Sequence, residues 1–314
     1  MKKNLLITGG SGFLGINLSK KLKKKYKIIL GARNNKLNQE AQNITGCVTV
    51  PLDVSSSKSV RDVFNFAKPD IVIHAAATKF VDLSEKFPLE CIDINVNGSA
   101  NIVRESINFG VKKVIGISTD KASPPIKNTY GLSKSIMERL FVRSNSKNTI
   151  FLCVRYGNVA WSTKSVLPVW KDMFQKNKKI ISTGPHMRRF FFTIDDAVSL
   201  VEFALNNSNK YSGKIISREM KSAKVKDLLE VWINNYGGSY EYSNERPGER
   251  YDQYLIGKEE LDYTYSKIIN GITYYFIDFN KKAKNPLKRI VSSENAKSLN
   301  KNEIKNLINF GLNN

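Results

Sequence analysis

Histidine and cysteine are scarce in this chain: two of the first, His74 and His186, and three of the second, Cys47, Cys91 and Cys153, in 314 residues. So few histidines argue against a histidine-rich metal centre. Three cysteines, with no C-x-x-C pair among them, fit neither a disulfide framework nor a zinc site, and they read as reduced core thiols of a cytoplasmic protein. Apolar runs are short, and none approaches the roughly 20 residues needed to cross a bilayer. Lys2-Lys3 followed by Leu5-Leu6-Ile7 begins like a signal peptide, but the run stops at Gly9-Gly10. Carboxylates are also thin: 28 Asp and Glu stand against 50 Lys and Arg, a net charge of +22. The cations are scattered, with no basic stripe interleaved with aromatics and no nucleic-acid-binding signature, so no nucleic-acid partner is expected. The surplus is either a compositional habit or a field that draws in polyanions.

With 41% hydrophobic residues the chain can bury a large core. Short apolar runs alternate with amphipathic segments through its first half. The pattern predicts strands at 4–8, 27–32, 47–52, 71–74, 113–118 and 149–155, and helices at 13–24, 88–109 and about 129–144. Strand–helix alternation with short connections is the mark of a parallel sheet covered on both faces. After Tyr156 the rhythm breaks up. The expected α/β architecture is therefore a doubly wound parallel sheet over residues 1–160, with a sheet and helix return at about 185–215. Residues 161–314 are expected to form mainly a smaller, interleaved C-terminal lobe, with 281–301 as polar loop and 302–312 as a closing helix.

Thr8-Gly9-Gly10-Ser11-Gly12-Phe13-Leu14-Gly15 joins the first strand to the first helix. Glycines there let a pyrophosphate approach the backbone, and the free N–H groups of the helix N-terminus attract its charge. In this strand–turn–helix setting the motif indicates a dinucleotide. An NAD site usually carries a carboxylate at the end of the second strand, for the ribose hydroxyls. This chain has Arg33 there, with Lys36 nearby. A guanidinium matches a 2′-phosphate, which makes NADP the expected cofactor, although an ordinary solvated arginine is the plain alternative. Asp53 and Val54, after the third strand, are placed near the adenine. Ala75, Ala76 and Ala77, after the fourth, leave room for the cofactor.

Tyr130 and Lys134 stand at i and i+4 on one helical face. A free tyrosine titrates near pH 10, and a neighbouring ammonium favours its phenolate, so the phenol can take a proton as hydride leaves a carbinol. Alone, Tyr-x-x-x-Lys is usually an exposed pair. Placed after the fifth strand of a glycine-loop chain, it resembles the catalytic pair of the extended short-chain dehydrogenase/reductase family. Thr119-Asp120-Lys121, together with Asn128-Thr129-Tyr130-Gly131, is similar to the nucleotide-sugar 4,6-dehydratases acting on UDP-N-acetylglucosamine. His74-Ala75-Ala76-Ala77, Asn95-Val96-Asn97-Gly98, Val154 to Val159, Arg188 to Thr193 and Arg246-Pro247-Gly248-Glu249 follow in family order. The resemblance runs over about residues 3–256; the last fifty-odd residues carry little that matches.

The resemblance implies a Rossmann-type fold, a UDP-sugar substrate and a homo-oligomer. It adds Asn95 to the cofactor site, and Tyr130 and Lys134 to both the cofactor and the catalytic sets. It also assigns roles. Tyr130 is the base for oxidation at the sugar C-4, and Thr119 bonds the developing ketone. Lys121, when neutral, removes the acidified C-5 proton, and Asp120, when protonated, donates to the departing C-6 hydroxyl. Hydride then returns to C-6. Retaining relatives carry glutamate at the lysine position, so Lys121 points to inversion at C-5. Arg188, Arg189, Arg246 and Glu249 are expected at the UDP diphosphate, with Lys79 and Asn158 as sugar or phosphate contacts. Two departures from the pattern stand out: Lys164, where relatives have glycine, and Arg250, where they have lysine.

Two other readings remain at this point. A UDP-amino-sugar 4-epimerase or reductase would need Thr119, Tyr130 and Lys134 but not an acid–base pair at Asp120 and Lys121. A catalytically silent NADP-binding scaffold would need none of the catalytic geometry. The Arg33 reading makes its own prediction: NADP(H) binds more tightly than NAD(H) in a fluorescence titration of both, and equal or reversed affinities reject it.

Overall fold

The computed structural model describes residues 2–244 and 248–312. Its first half follows the expected alternation: β1 (Asn4–Thr8), α1 (Phe13–Leu22), β2 (Lys27–Ala32), α2 (Asn35–Thr45), β3 (Val48–Pro51), α3 (Ser57–Ala67) and β4 (Ile71–His74). β5 (Lys113–Thr119) and β6 (Ile150–Tyr156) complete the series. Strands β1 and β4 are buried along almost their whole length, as central parallel strands must be. Alternate residues of β1 feed opposite faces. Leu5 and Ile7 pack with Leu18, Leu22 and the helix Ile194–Asn206, and Leu6 packs with Val60, Phe64, Ile102 and Phe141.

The nine-stranded sheet runs β3-β2-β1-β4-β5-β6, followed by Ile215–Arg218, Ile272–Ile277 and Thr264–Ile269. All pairings are parallel up to Ile215–Arg218, and the last two strands are antiparallel. The order reverses between β1 and β4, and a ligand crevice opens at such a switch point beyond the strands' carboxyl ends.

The second half is more interleaved than a division at residue 160 suggests. The return to the sheet comes through the strand Ile215–Arg218, and the hairpin Thr264–Ile277 extends that sheet rather than the lobe. The lobe has its own core. There all three tryptophans, Trp161, Trp170 and Trp232, meet Phe174, Leu167 and Ile308 of the closing helix Lys301–Leu312.

The helix expected over 88–109 has more parts. It comprises α5 (Pro88–Ile92), a π-helical turn (Asp93–Asn97) and α6 (Gly98–Asn108), and a further short helix, α4 (Val81–Lys86), precedes it. Pro88 opens α5, where its missing N–H leaves no bond unmade.

Helix α7 (Thr129–Ser144) is fastened to β6 by charge. Arg155, fully buried in that strand, donates to Glu138 of α7 at 2.9 and 2.7 Å and to Glu260 at 2.8 Å through each Nη. Glu260 also accepts from Ser123 Oγ (2.9 Å) and from the Gly257 amide (3.1 Å). Burial penalises the guanidinium, but the two carboxylates outweigh it and hold its pKa well above the usual value. Removing one member of such a group strands the others in low dielectric. Arg155→Met should therefore cost about 3–5 kcal/mol in urea unfolding. A loss well under 1 kcal/mol, on the order of an exposed pair, would mean the carboxylates are not held as charges.

Candidate active site

The glycine loop fits a dinucleotide. Gly9 has φ +68°, and a Cβ on it would lie 2.8 Å from the Ala76 nitrogen, so only glycine lets the loop cross the end of β4. Thr8 Oγ1 accepts from the Ala76 amide at 3.2 Å and lies 2.8 Å from His74 Nδ1. His74 Nε2 is 3.0 Å from Ser99 Oγ, and burial pushes this histidine down to about 3, so it is a neutral tie between elements. Helix α1 starts at Phe13 with Gly12 as its N-cap and no side-chain cap, which leaves the amide ends of Phe13, Leu14 and Gly15 for an anion.

Arg33 and Lys36 are exposed at the end of β2 and on the first turn of α2, which carries no acid. Asn34 between them is the helix cap, accepting from the Leu37 amide at 3.0 Å. Asp53 accepts from Ser55 N (3.0 Å) and Oγ (2.7 Å), and Val54 is buried. Ala75, Ala76 and Ala77 are half-buried beside the glycine loop. Asn95, in the π-helical turn, spans two loops. Its Oδ1 accepts from Thr78 N (2.9 Å), while its Nδ2 donates to Thr78 O (3.0 Å) and to Ser133 Oγ (2.9 Å) on α7. It ties the loop after β4 to α7.

The structure brings Thr119, Asp120, Lys121 and Tyr130 together. Asp120–Ala122 forms a 3-10 turn directly after β5, and α7 starts against it. Gly131 permits that approach, because a Cβ there would run into the Lys121 carbonyl oxygen. Asn128 caps α7, accepting from Gly131 N at 2.7 Å, and donates to Gly248 O at 3.1 Å, which ties the lobe to the catalytic helix.

The Thr119 hydroxyl donates to Asp120 Oδ1 at 3.1 Å and lies near enough to the Tyr130 phenol to lower its pKa. Lys121 Nζ donates to the same oxygen at 3.0 Å and to Asn158 Oδ1 at 3.4 Å. Asp120 is fully buried, yet its second oxygen, Oδ2, has no hydrogen-bond partner among the described residues. Burial raises the Tyr130 phenol, and the charge of Asp120 adds to that, while the Thr119 bond opposes it. Burial likewise lowers Lys134 to about 8, one turn further along α7.

The expected diphosphate cations part company. Arg188 pairs with Asp252, at 3.4 Å to both oxygens. Arg189 is buried and donates to the carbonyls of Arg188 (2.9 Å), Arg250 (2.8 Å) and Tyr251 (3.1 Å). Arg246 lies outside the described residues. Glu249 keeps one buried oxygen without a hydrogen-bond partner among them. Lys79 is exposed, and its neighbour Phe80 carries Lys164 Nζ over the ring at 5.4 Å. Lys164 has φ +58°, a conformation in which glycine is at ease, in keeping with the glycine that the resemblance leads one to expect there. All three cysteines are free and buried, and no cluster of metal-ligating side chains occurs among the described residues. No described helix is long and apolar enough to cross a membrane.

Comparison with known proteins agrees with this geometry. Residues 5–271 match the family model described as polysaccharide biosynthesis protein. A UDP-N-acetylglucosamine 4,6-dehydratase (inverting) from Campylobacter jejuni is 34% identical over 84% of this chain and 80% of its own length. A UDP-glucose 4-epimerase from Rickettsia felis is 32% identical over 98% of this chain and 95% of its own. Among solved structures, Pen from Bacillus thuringiensis superposes with a TM-score of 0.89 at 27% identity, covering 99% of this chain and 98% of that one. The fold is shared with a Thermus thermophilus UDP-glucose 4-epimerase solved with NAD, at a TM-score of 0.67, 19% identity and 78% and 88% coverage. The glycine loop, the Tyr130–Lys134 helix and these matches agree: the chain belongs to the polysaccharide biosynthesis protein family of extended short-chain dehydrogenase/reductases, as an enzyme of the nucleotide-sugar dehydratase and epimerase kind.

Proposed function

We propose that the chain is an NADP-dependent UDP-N-acetylglucosamine 4,6-dehydratase, a hydro-lyase that inverts C-5. The observation that carries this reading is Asp120, buried beside Lys121 with Oδ2 unpartnered and its charge acting on the Tyr130 phenol. A 4-epimerase needs only the phenol and its helpers, whereas removing water across C-5 and C-6 needs a base and an acid. The glycine loop would hold NADP, with Arg33 and Lys36 at its 2′-phosphate, and the bound cofactor would supply the hydride acceptor for C-4 and the hydride donor for C-6.

The chain's own residues handle the protons. Tyr130 accepts the C-4 hydroxyl proton, and Thr119 moves its hydrogen bond to the new carbonyl. Lys134, whose Nζ rests 3.0 Å from Met137 Sδ, is the proposed source of positive charge for the phenolate once it turns towards Tyr130. Lys121 takes the C-5 proton. Asp120 protonates the leaving C-6 hydroxyl through its unpartnered oxygen. Lys79, Asn158, Arg188, Arg189, Arg246 and Glu249 remain the proposed substrate contacts. Asn158 has the firmest place among them, because it already touches Lys121. A UDP-sugar substrate and reduced thiols suit a cytoplasmic enzyme.

The epimerase reading has its own support, since the Rickettsia relative matches almost the whole chain. One experiment separates the two. With UDP-N-acetylglucosamine and catalytic NADP⁺ in deuterated water, the wild type should yield a product lighter by one water, with deuterium at C-5. A product of unchanged mass means epimerisation. Lys121→Ala should lose the C-5 exchange, and continued exchange would remove Lys121 as the base.

A homo-oligomer is part of the same proposal. Leu132 and Ile136 on α7, and Leu89 and Ile92 on the adjacent α5, are exposed apolar side chains that a second copy would cover. Sedimentation should give at least a dimer, and Leu132→Glu with Ile136→Glu should yield monomers; a monomeric wild type rejects this face.

A further inference from the structure

Lysines that are scattered along the sequence are gathered by the fold. A parallel sheet brings the N-terminal ends of its strands to one rim, and here those ends are cationic. Lys2 and Lys3 lead into β1, Lys23, Lys24 and Lys25 lead into β2, and Lys27 is the first residue of β2. Lys68 precedes β4, Lys112 precedes β5 and Lys147 precedes β6. Every one of these side chains is exposed.

Backbone hydrogen bonds stitch the strand approaches side by side. Lys27 N donates to Lys3 O at 3.0 Å, Lys112 N to Asp70 O at 2.9 Å, and Ile150 N to Lys112 O at 3.0 Å. Lys2 Nζ donates to Lys23 O at 3.2 Å. Burial lowers the pKa of Lys113, the first residue of β5, and the nearby charge of Lys3 adds to that. Two carboxylates are bonded into this stretch: Asp70, which accepts from the Asn4 amide at 2.8 Å, and Glu202, which takes Lys25 at 2.9 Å. A lysine at a helix C-terminus complements the helix dipole, but Lys2, Lys3 and Lys27 stand at strand starts, where no such dipole calls for them. Like charges so close together repel, and an anionic surface relieves that repulsion.

Apolar side chains stand out beside these lysines. Phe66, in the last turn of α3, is 65% exposed, and Ile107 and Phe109, at the end of α6, are 51% and 37% exposed. Lysines with aromatic and aliphatic neighbours are the composition that settles at a lipid headgroup boundary. Lysine is also a mobile point charge without arginine's planar fork, which suits a diffuse array of headgroups more than the reading of base edges.

We propose that this rim docks the protein peripherally on a bilayer rich in anionic lipid. Docking of this kind does not depend on which nucleotide-sugar reaction the crevice performs. The glycine loop and the Asp120–Lys121 turn follow the opposite ends of β1 and β5, one strand length away, which for five residues is about 16 Å. A docked molecule therefore turns its crevice away from the lipid and keeps it open to dissolved substrates.

Flotation of the full chain with vesicles tests this, using equimolar phosphatidylglycerol and phosphatidylcholine against phosphatidylcholine alone, at about 0.1 M and about 0.5 M salt. Wild type should float with the anionic vesicles at the lower salt, leave them at the higher, and ignore the neutral ones. Lys3→Glu, Lys24→Glu and Lys112→Glu combined should weaken binding by about a hundred-fold or more. Lys297→Glu, Lys301→Glu and Lys305→Glu combined carry the same net charge on the lobe, and should stay within about five-fold of wild type. Amine labelling of wild type, read by mass spectrometry, needs no variant: anionic vesicles should shield Lys3, Lys24 and Lys112 and leave Lys297, Lys301 and Lys305 reactive. A wild type that does not bind anionic vesicles overturns the proposal, as does equal binding to neutral ones. Equal losses in the two variants, or shielding without preference for the rim, also overturn it. Duplex DNA that shields the rim and displaces the vesicles would assign the rim to nucleic acid and reject the lipid.

Discussion

Two carboxylates closing on one buried guanidinium hold this molecule's halves in register. Arg155 comes from the central sheet, Glu138 from the helix that carries Tyr130 and Lys134, and Glu260 from the far end of the chain. Glu260 in turn takes Ser123, just after the Asp120–Lys121 turn. One ionic knot therefore sets α7, the Asp120–Ala122 turn and the C-terminal segment against one another. Glu138 lies one turn beyond Lys134, and its charge favours the ammonium that burial disfavours. Geometry and charge at the site have a common source.

Around that knot the fold distributes polar groups unevenly. His74, Asn95, Asn128 and Arg189 are buried and satisfied, and each bonds across elements. Asp120 Oδ2, Glu249 Oε2 and the Arg250 guanidinium are buried and lack hydrogen-bond partners among the described residues. Native proteins leave few such atoms; others, such as Tyr211 Oη and Trp232 Nε1, lie elsewhere in the fold, but Asp120 Oδ2 belongs to the 3-10 turn after β5.

Much of this was legible beforehand, because the signals were local. The glycine loop, the six parallel strands and the Tyr130 helix follow from turn chemistry and from apolar periodicity. Non-local pairings were harder to see. Arg155 sits in the apolar run from Ile150 to Tyr156, and a lone cation there demands buried partners. Those partners lie 17 and 105 residues away, beyond the reach of any pattern. The hairpin 264–277 has strand character but does not announce which sheet edge it joins. Arg188 and Arg189 look alike as a pair, and only packing sends one to Asp252 and the other to backbone carbonyls. Arg250 was visible as a departure from a motif, but its missing partners could not be read from sequence.

The π-helical turn at Asp93–Asn97 has a geometric consequence of its own. One extra residue in a helix advances its phase by about 100°. Downstream, Ile102 and Val103 point into the core, while upstream Leu89 and Ile92 are turned out to solvent. The inserted residue thus works as a joint with two outputs: it aims Asn95 at Thr78 and Ser133, and it rotates a greasy stripe off the core onto the surface. Deleting it would straighten the rod and spoil both at once, so the innermost support of the active site and the outermost apolar face cannot drift apart independently.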